Sequence, residues 1–189
     1  MNEARRVCLF GGSFNPPHVG HVFLSAWALS TQRFDELWWV PANAHAFGKE
    51  LASFEERMEM CRRAIAVLDD RVTVSDVERR LGGQSRTIVT LEHLEAEEPG
   101  TTFTLLMGAD LLQQLPRWER GAELLERFET LVIGRSGHEE SRGLPVTLPD
   151  ISSHAVRDAV SEGRWSEVEG CVAHDVVAYI RERGLYVSD

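Results

Sequence analysis

Arg6-Val7-Cys8-Leu9-Phe10, followed without a break by Gly11-Gly12-Ser13-Phe14-Asn15-Pro16-Pro17-His18-Val19-Gly20-His21, is the stretch that decides the fold. A short, uninterrupted apolar run that ends on glycine suits a strand covered on both faces, as in a parallel sheet. The paired glycines let the backbone come close to a ligand, and the two prolines stiffen the connection that follows. From His18 to about Gln32 the pattern is helical, with Val22, Ala26 and Leu29 expected on the inward face.

Strand-like and helix-like segments then alternate to the end of the chain. Glu36–Pro41 is a second strand. Ser53-Phe54-Glu55-Glu56 carries a capping-box pattern, with Met58, Cys61, Ile65 and Leu68 at helical spacing behind it. Val72–Ser75, Thr102–Met107 and Thr130–Gly134 are further strands, and Val146–Leu148 is a candidate sixth. A helix is expected from about Thr87 to Glu98, and Gly108-Ala109-Asp110 opens another. Two more are expected near Ser152–Glu162 and Val172–Arg183, the last with Gly184 as its C-cap. Ser136–Gly143 has the composition of a surface loop. Strands joined by helices imply right-handed crossovers. The expected fold class is therefore α/β: a Rossmann-like, doubly wound, mainly parallel sheet with helices on both faces. Residues 1–189 are expected to form a single domain, with a helical segment over about 151–189. Such sheets bind ligands beyond the carboxyl ends of their strands, where the strand order reverses. The loops after the first, second, fourth and fifth strands are thus the places to look for chemistry.

Composition narrows the function. A chain of 189 residues can bury a real core. A formal net charge of −10 lacks the basic footprint of nucleic-acid binding, so any polyanion site must be locally basic or built from backbone N–H groups. No apolar run approaches a membrane span, and the N-terminal apolar run is shorter than a secretory core, so neither a membrane nor a nucleic-acid partner is expected. Cys8, Cys61 and Cys171 are odd in number and far apart, which fits free thiols in a reducing, cytoplasmic setting. The oligomeric state is open between a monomer and a homo-oligomer.

His18 and His21 sit three apart at a helix start and share a face. Gly20 between them leaves room where a side chain would meet a bound group. The helix-start N–H groups and the helix dipole favour an anion there, and two imidazoles can donate to phosphate oxygens as charge develops. The same spacing could serve a metal, although no third ligand lies nearby, or the histidines could be incidental. Far along the chain, Ile151-Ser152-Ser153-His154-Ala155-Val156-Arg157 sets a serine cap and, one turn later, a guanidinium suited to phosphate. An ordinary capped surface helix would look the same.

Taken together, the first segment resembles the signature of the nucleotidyltransferase superfamily that carries an HxGH motif. That group includes nicotinate- and nicotinamide-mononucleotide adenylyltransferases, pantetheine-phosphate adenylyltransferases and some cytidylyltransferases. The second segment resembles the superfamily's I-S-S-T-x-[IV]-R motif, with His154 in place of threonine. Several middle segments resemble bacterial nicotinate-mononucleotide adenylyltransferases: Gly108-Ala109-Asp110-Leu111-Leu112 for G-x-D-x-L, and Trp118. Ser85-Arg86-Thr87-Ile88-Val89-Thr90-Leu91 stands for S-Y-T-x-x-T-L with Arg86 in place of tyrosine. The closing Tyr179–Tyr186 matches Y-I-x-x-x-G-L-Y and is read as structural.

The resemblance implies adenylyl transfer from ATP to a pyridine mononucleotide, with Mg²⁺ travelling on the triphosphate. His18 and His21 would be catalytic. Gly11, Gly12, Ser13, Phe14, Gly20, Gly108, Asp110, Arg135, Ser152, Ser153 and Arg157 would bind ATP. Asn43, His45, Lys49, Thr87 and Trp118 would meet the acceptor, Trp118 by stacking on the pyridine ring. The loop Pro41–Lys49 lacks the family's double proline. Nicotinate mononucleotide is the implied acceptor, with nicotinamide mononucleotide and phosphopantetheine as alternatives. A nucleotide sensor without catalysis is the reading from another class.

Overall fold

In a computed structural model the described residues are 4–44, 51–135, 147–148 and 151–187. Six strands form one parallel sheet in the order β3-β2-β1-β4-β5-β6. They are β1 (Arg5–Gly12), β2 (Glu36–Pro41), β3 (Val72–Val74), β4 (Thr101–Gly108), β5 (Glu129–Arg135) and β6 (Thr147–Leu148). The helices are α1 (Val19–Thr31), α2 (Phe54–Ile65), α3 (Val77–Leu81), α4 (Thr87–Glu97), α5 (Ala109–Leu112), α6 (Gly121–Arg127), α7 (Ser153–Ser161), α8 (Trp165–Glu169) and α9 (His174–Arg183), with a 3₁₀ turn at Leu115–Arg117.

The order is that of a doubly wound sheet, and it reverses between β1 and β4. Alternation along β1 explains why its apolar run is continuous. Cys8 and Phe10 join a core with Leu24, Leu37, Trp39, Val156, Val160 and Ile180. Val7 and Leu9 join the opposite core with Ile88, Leu91, Phe103, Leu105 and Leu124. Helices therefore cover both faces, and the helices near the C-terminus close the face that α1 and α2 begin. Burial raises the pKa of the Cys8 thiol, with the Glu129 charge adding to it, and burial likewise raises that of Cys61.

The Ser53 cap forms as the pattern requires: the Glu56 backbone N–H donates to Ser53 Oγ at 3.2 Å and the Ser53 N–H to Glu56 Oε2 at 2.9 Å. Gly184 ends α9 at φ 61°. The inward face of α1 differs from the expected Val22–Ala26–Leu29 stripe, since Gly20, Leu24, Ser25, Ala28 and Leu29 are the buried ones. Ser25 belongs inside because its hydroxyl accepts from Trp39 Nε1 at 2.8 Å and donates to the His21 carbonyl at 3.0 Å. The last expected helix begins at His174 rather than Val172, and the short α8 precedes it. The expected loop at Ser136–Gly143 lies outside the described residues.

Candidate active site

The connection from β1 to α1 is shaped by aromatic packing. Phe14 is buried at φ 45°, a left-handed conformation that a phenylalanine adopts only where packing holds it. Its ring stacks on Trp39 at 4.7 Å with 7° between planes, and lies 5.0 Å from His21. A Cβ on Gly12 would stand 3.2 Å from the Phe14 ring, so glycine is the residue that lets the turn close. The buried position of Phe14 makes it a support for the loop rather than an exposed contact.

His18 is the N-cap of α1, with extended backbone. Its N–H donates to His21 Nδ1 at 3.1 Å. An accepting Nδ1 places the ring proton of neutral His21 on Nε2. The two imidazoles lie 3.8 Å apart between centroids. A Cβ on Gly20 would come within 3.0 Å of the His18 ring. The space expected to admit a bound group is thus space for the imidazole itself.

The second motif docks on this loop. Ser152 caps α7 by accepting from Ala155 N–H at 3.1 Å. Ser153 Oγ donates to the Pro16 carbonyl at 2.8 Å, and Arg157 Nη1 donates to the Asn15 carbonyl at 2.7 Å. Residues far apart in the chain therefore meet beside His18 and His21. Ser153 and Arg157 hold the loop through its backbone, while His154 points outward with its side chain 71% exposed. The Val19 N–H donates to the Cys171 carbonyl at 2.8 Å, which adds a second tie to the C-terminal helices.

On the other side of the loop is a cavity of about 550 Å³, walled by Gly11, Gly12, Ser13, Ala42, Thr87 and Trp118 among others. It lies at the carboxyl ends of β1, β2 and β4, at the point where strand order reverses. Trp118 is its aromatic wall residue, and Thr87 opens α4 beside it. Gly108 ends β4, and a Cβ there would collide with the Asp110 carboxylate, so glycine lets that carboxylate fold back over the strand end. The Asn43 amide is engaged with the neighbouring loop. Its backbone N–H donates to Ser85 Oγ at 2.8 Å and its Nδ2 to the Gly83 carbonyl at 3.0 Å. The backbone of Arg135 ends β5, aligned with Leu148 of β6. His45, Lys49 and the Arg135 side chain lie outside what is described.

Arg57 and Glu78 escaped the sequence reading, and Tyr186, in a motif read as structural, adds a contact at the site. Arg57 is 1% exposed. Its guanidinium donates to the carbonyls of Ala52 at 3.0 Å, Ser13 at 3.0 Å and Asn43 at 3.3 Å. It thereby ties the β1 loop to the β2 loop, and burial lowers its pKa. The signal was a cation inside the apolar stripe of α2. Glu78 is buried in the cavity wall and accepts from Thr90 Oγ1 at 2.5 Å. Tyr186 donates from its hydroxyl to Asn15 Oδ1 at 2.8 Å, and burial raises its pKa. The closing motif thus supports the site as well as the fold.

The arrangement sets two imidazoles and the Ser153–Arg157 turn on one side, and a mainly apolar cavity with an aromatic wall on the other. Among the described residues no cluster of three or more metal-ligating side chains occurs, and no helix is long and apolar enough to cross a membrane. A family model described as cytidylyltransferase-like matches residues 9–159. A probable nicotinate-nucleotide adenylyltransferase of Anaeromyxobacter is 42% identical, over 98% of this chain and 99% of its own length. A probable nicotinate-nucleotide adenylyltransferase of Myxococcus xanthus is 36% identical, over 98% and 97%. A Plasmodium falciparum nicotinic acid mononucleotide adenylyltransferase has the same fold, with a TM-score of 0.85 over 96% of this chain and 97% of that one, at 20% identity. The chain belongs to the cytidylyltransferase-like nucleotidyltransferases, in the family of the nicotinate-nucleotide adenylyltransferases.

Proposed function

We propose that the chain transfers the adenylyl group of MgATP to nicotinate mononucleotide, releasing pyrophosphate and forming deamido-NAD. One observation carries this reading: the Ser153–Arg157 turn is bonded to the loop that presents His18 and His21, beside a cavity with an aromatic wall. The relatives' names and the description of the Plasmodium structure as complexed with NaAD point to the same acceptor.

The 5′-phosphate of the acceptor attacks the α-phosphorus in line, and pyrophosphate leaves. That phosphate is ionised at neutral pH, so no general base is required. The protein contributes positioning and charge stabilisation. His18 and His21 donate to the transferring phosphate as charge builds. The N–H groups at the start of α7, Ser153 among them, take the outer phosphates with Arg157 and Arg135. Gly11, Gly12, Ser13 and Gly108 let ATP approach the strand ends, with buried Phe14 supporting the turn, and Asp110 accepts from ribose hydroxyls. Trp118 stacks on the pyridine ring, with Thr87, Asn43, His45 and Lys49 around the acceptor. The histidine, hydroxyl and guanidinium donor set suits an anion and not a hard cation, so the metal belongs to the substrate, carried as Mg²⁺ on the triphosphate. The reaction would draw on cytoplasmic ATP.

Pyrophosphate release from MgATP, measured with nicotinate mononucleotide, nicotinamide mononucleotide and phosphopantetheine, tests the reading. The first acceptor is expected to give the highest kcat/KM. Release without any acceptor, or preference for phosphopantetheine, overturns it. His21→Ala is expected to lower kcat by at least about a hundredfold with near-normal thermal stability, the size seen when one transition-state donor is removed.

A further inference from the structure

In the lining of the cavity Arg86 and Glu119 face each other from two different segments. Arg86 is the N-cap of α4, directly before Thr87, and Glu119 directly follows Trp118. The guanidinium meets the carboxylate through both ends of its fork: Nη1 donates to Oε1 at 3.0 Å and Nε lies 3.0 Å from Oε2. Both side chains line the cavity. They are 47% and 42% exposed, so the pair is weakly held and open to competition.

The described wall carries two guanidinium groups, Arg86 and Arg117, and two carboxylates, Glu78 and Glu119. Glu78 is buried and fixed by Thr90, so its charge stays inside the wall. Of the two guanidinium groups, Arg86 is the one whose fork is held by a half-exposed carboxylate that an entering anion can replace. Arg86 stands next to the ring-stacking face, and its partner is itself a carboxylate.

Resting on the adenylyl-transfer reading above, we infer that Arg86 and Glu119 form an exchangeable pair that selects a carboxylate-bearing acceptor: the ring carboxylate of the substrate takes the place of Glu119 on the Arg86 fork. The exchange conserves hydrogen bonds, because one planar carboxylate replaces another. A carboxamide cannot make it. It offers one accepting oxygen and an NH₂ group that would point donors at donors. Arg86 is thus the specificity-determining cation, and Glu119 is a surrogate ligand that keeps the fork in shape and holds neutral acceptors off it.

The experiment compares kcat/KM for nicotinate and nicotinamide mononucleotides in the full-length protein and in Arg86→Gln, Arg86→Lys and Glu119→Gln, each checked for an unchanged thermal transition. Arg86→Gln is expected to lower the nicotinate value by about tenfold, the worth of a bidentate charge-assisted contact, and to change the nicotinamide value by less than about twofold. Arg86→Lys, which keeps the charge without the fork, is expected to fall between. Glu119→Gln is expected to raise the nicotinate value by roughly two- to fivefold, the strength of a half-exposed pair. Equal changes for both acceptors in Arg86→Gln, or a nicotinate loss in Glu119→Gln as large as in Arg86→Gln, would show a fixed structural latch and overturn the proposal. No pyrophosphate from the unsubstituted protein with either acceptor overturns the functional reading itself, and this inference with it.

Discussion

Replacing Arg57 with methionine probes what holds the loops after β1 and β2 in register. The substitution keeps an unbranched apolar stem and deletes three donors, leaving the carbonyls of Ala52, Ser13 and Asn43 without the guanidinium that binds them at 3.0, 3.0 and 3.3 Å. Each hydrogen bond to a charged group is worth about 1.5–3 kcal/mol. Their sum is offset by several kcal/mol, because the variant no longer desolvates a cation. A net loss of about 3–5 kcal/mol is expected, because three part-buried carbonyls each lose a donor at about 1–3 kcal/mol. For a chain of this size each kcal/mol lowers Tm by about 2–4 °C, so a fall of roughly 6–20 °C follows. Arg57→Lys keeps the charge and one or two of the bonds, and should lie between. Thermal and urea denaturation followed by circular dichroism give the stability. Steady-state kinetics well below the transition give the second readout, a kcat reduced in the folded variant because the Ser13 and Asn43 loops are no longer tied together. A methionine variant within about 1 kcal/mol of the parent would show that relaxed backbone or water satisfies those carbonyls, and would refute the reasoning.

Two further outcomes are expected. Gly20→Ala places a methyl 3.0 Å from the His18 imidazole, so kcat should drop by about tenfold or more while Tm moves little; unchanged kcat would mean the ring yields freely. Glu92 is held below the usual carboxylate range by hydrogen bonds from Arg120 and then Arg127. Such a depressed group stabilises the fold above the unfolded carboxylate value near 4.5, and that contribution is lost as pH falls through the lower folded value. Denaturation measured from neutral pH down to about 3 should therefore show a shallower acid decline in Glu92→Gln than in the parent.

Much of this could be read before any coordinates, for reasons that differ by element. The β2 bounds, Glu36–Pro41, were legible because a buried parallel strand is a short apolar run between polar residues. The Ser53 cap was legible because its two hydrogen bonds are local in sequence. Helices α3, α6 and α8 were not, since 5, 7 and 5 residues give too few turns for a periodicity to show. Ser25 has no place in the Val22–Ala26–Leu29 stripe, because what buries it is the Trp39 indole on another element. Glu78 with Thr90, and Arg57 with its carbonyls, were invisible for the same reason: a buried polar group is explained only by what the fold brings to it. The two histidines and the Ser153–Arg157 turn stood out through their spacing. Their meeting at Asn15 and Pro16 required three dimensions.

The bond from the Tyr186 hydroxyl to Asn15 Oδ1 spans 171 positions of the chain. With Ser153 and Arg157 gripping the same loop, the turn that carries His18 and His21 receives its supports from residues made well after the strand that opens it. A nascent chain that has already formed β1 to β5 still lacks these props beneath the imidazoles, so the loop should settle only once residues through Tyr186 have emerged. Such long-range closure also slows folding, because distant segments must find each other before any of these bonds repays the lost chain entropy.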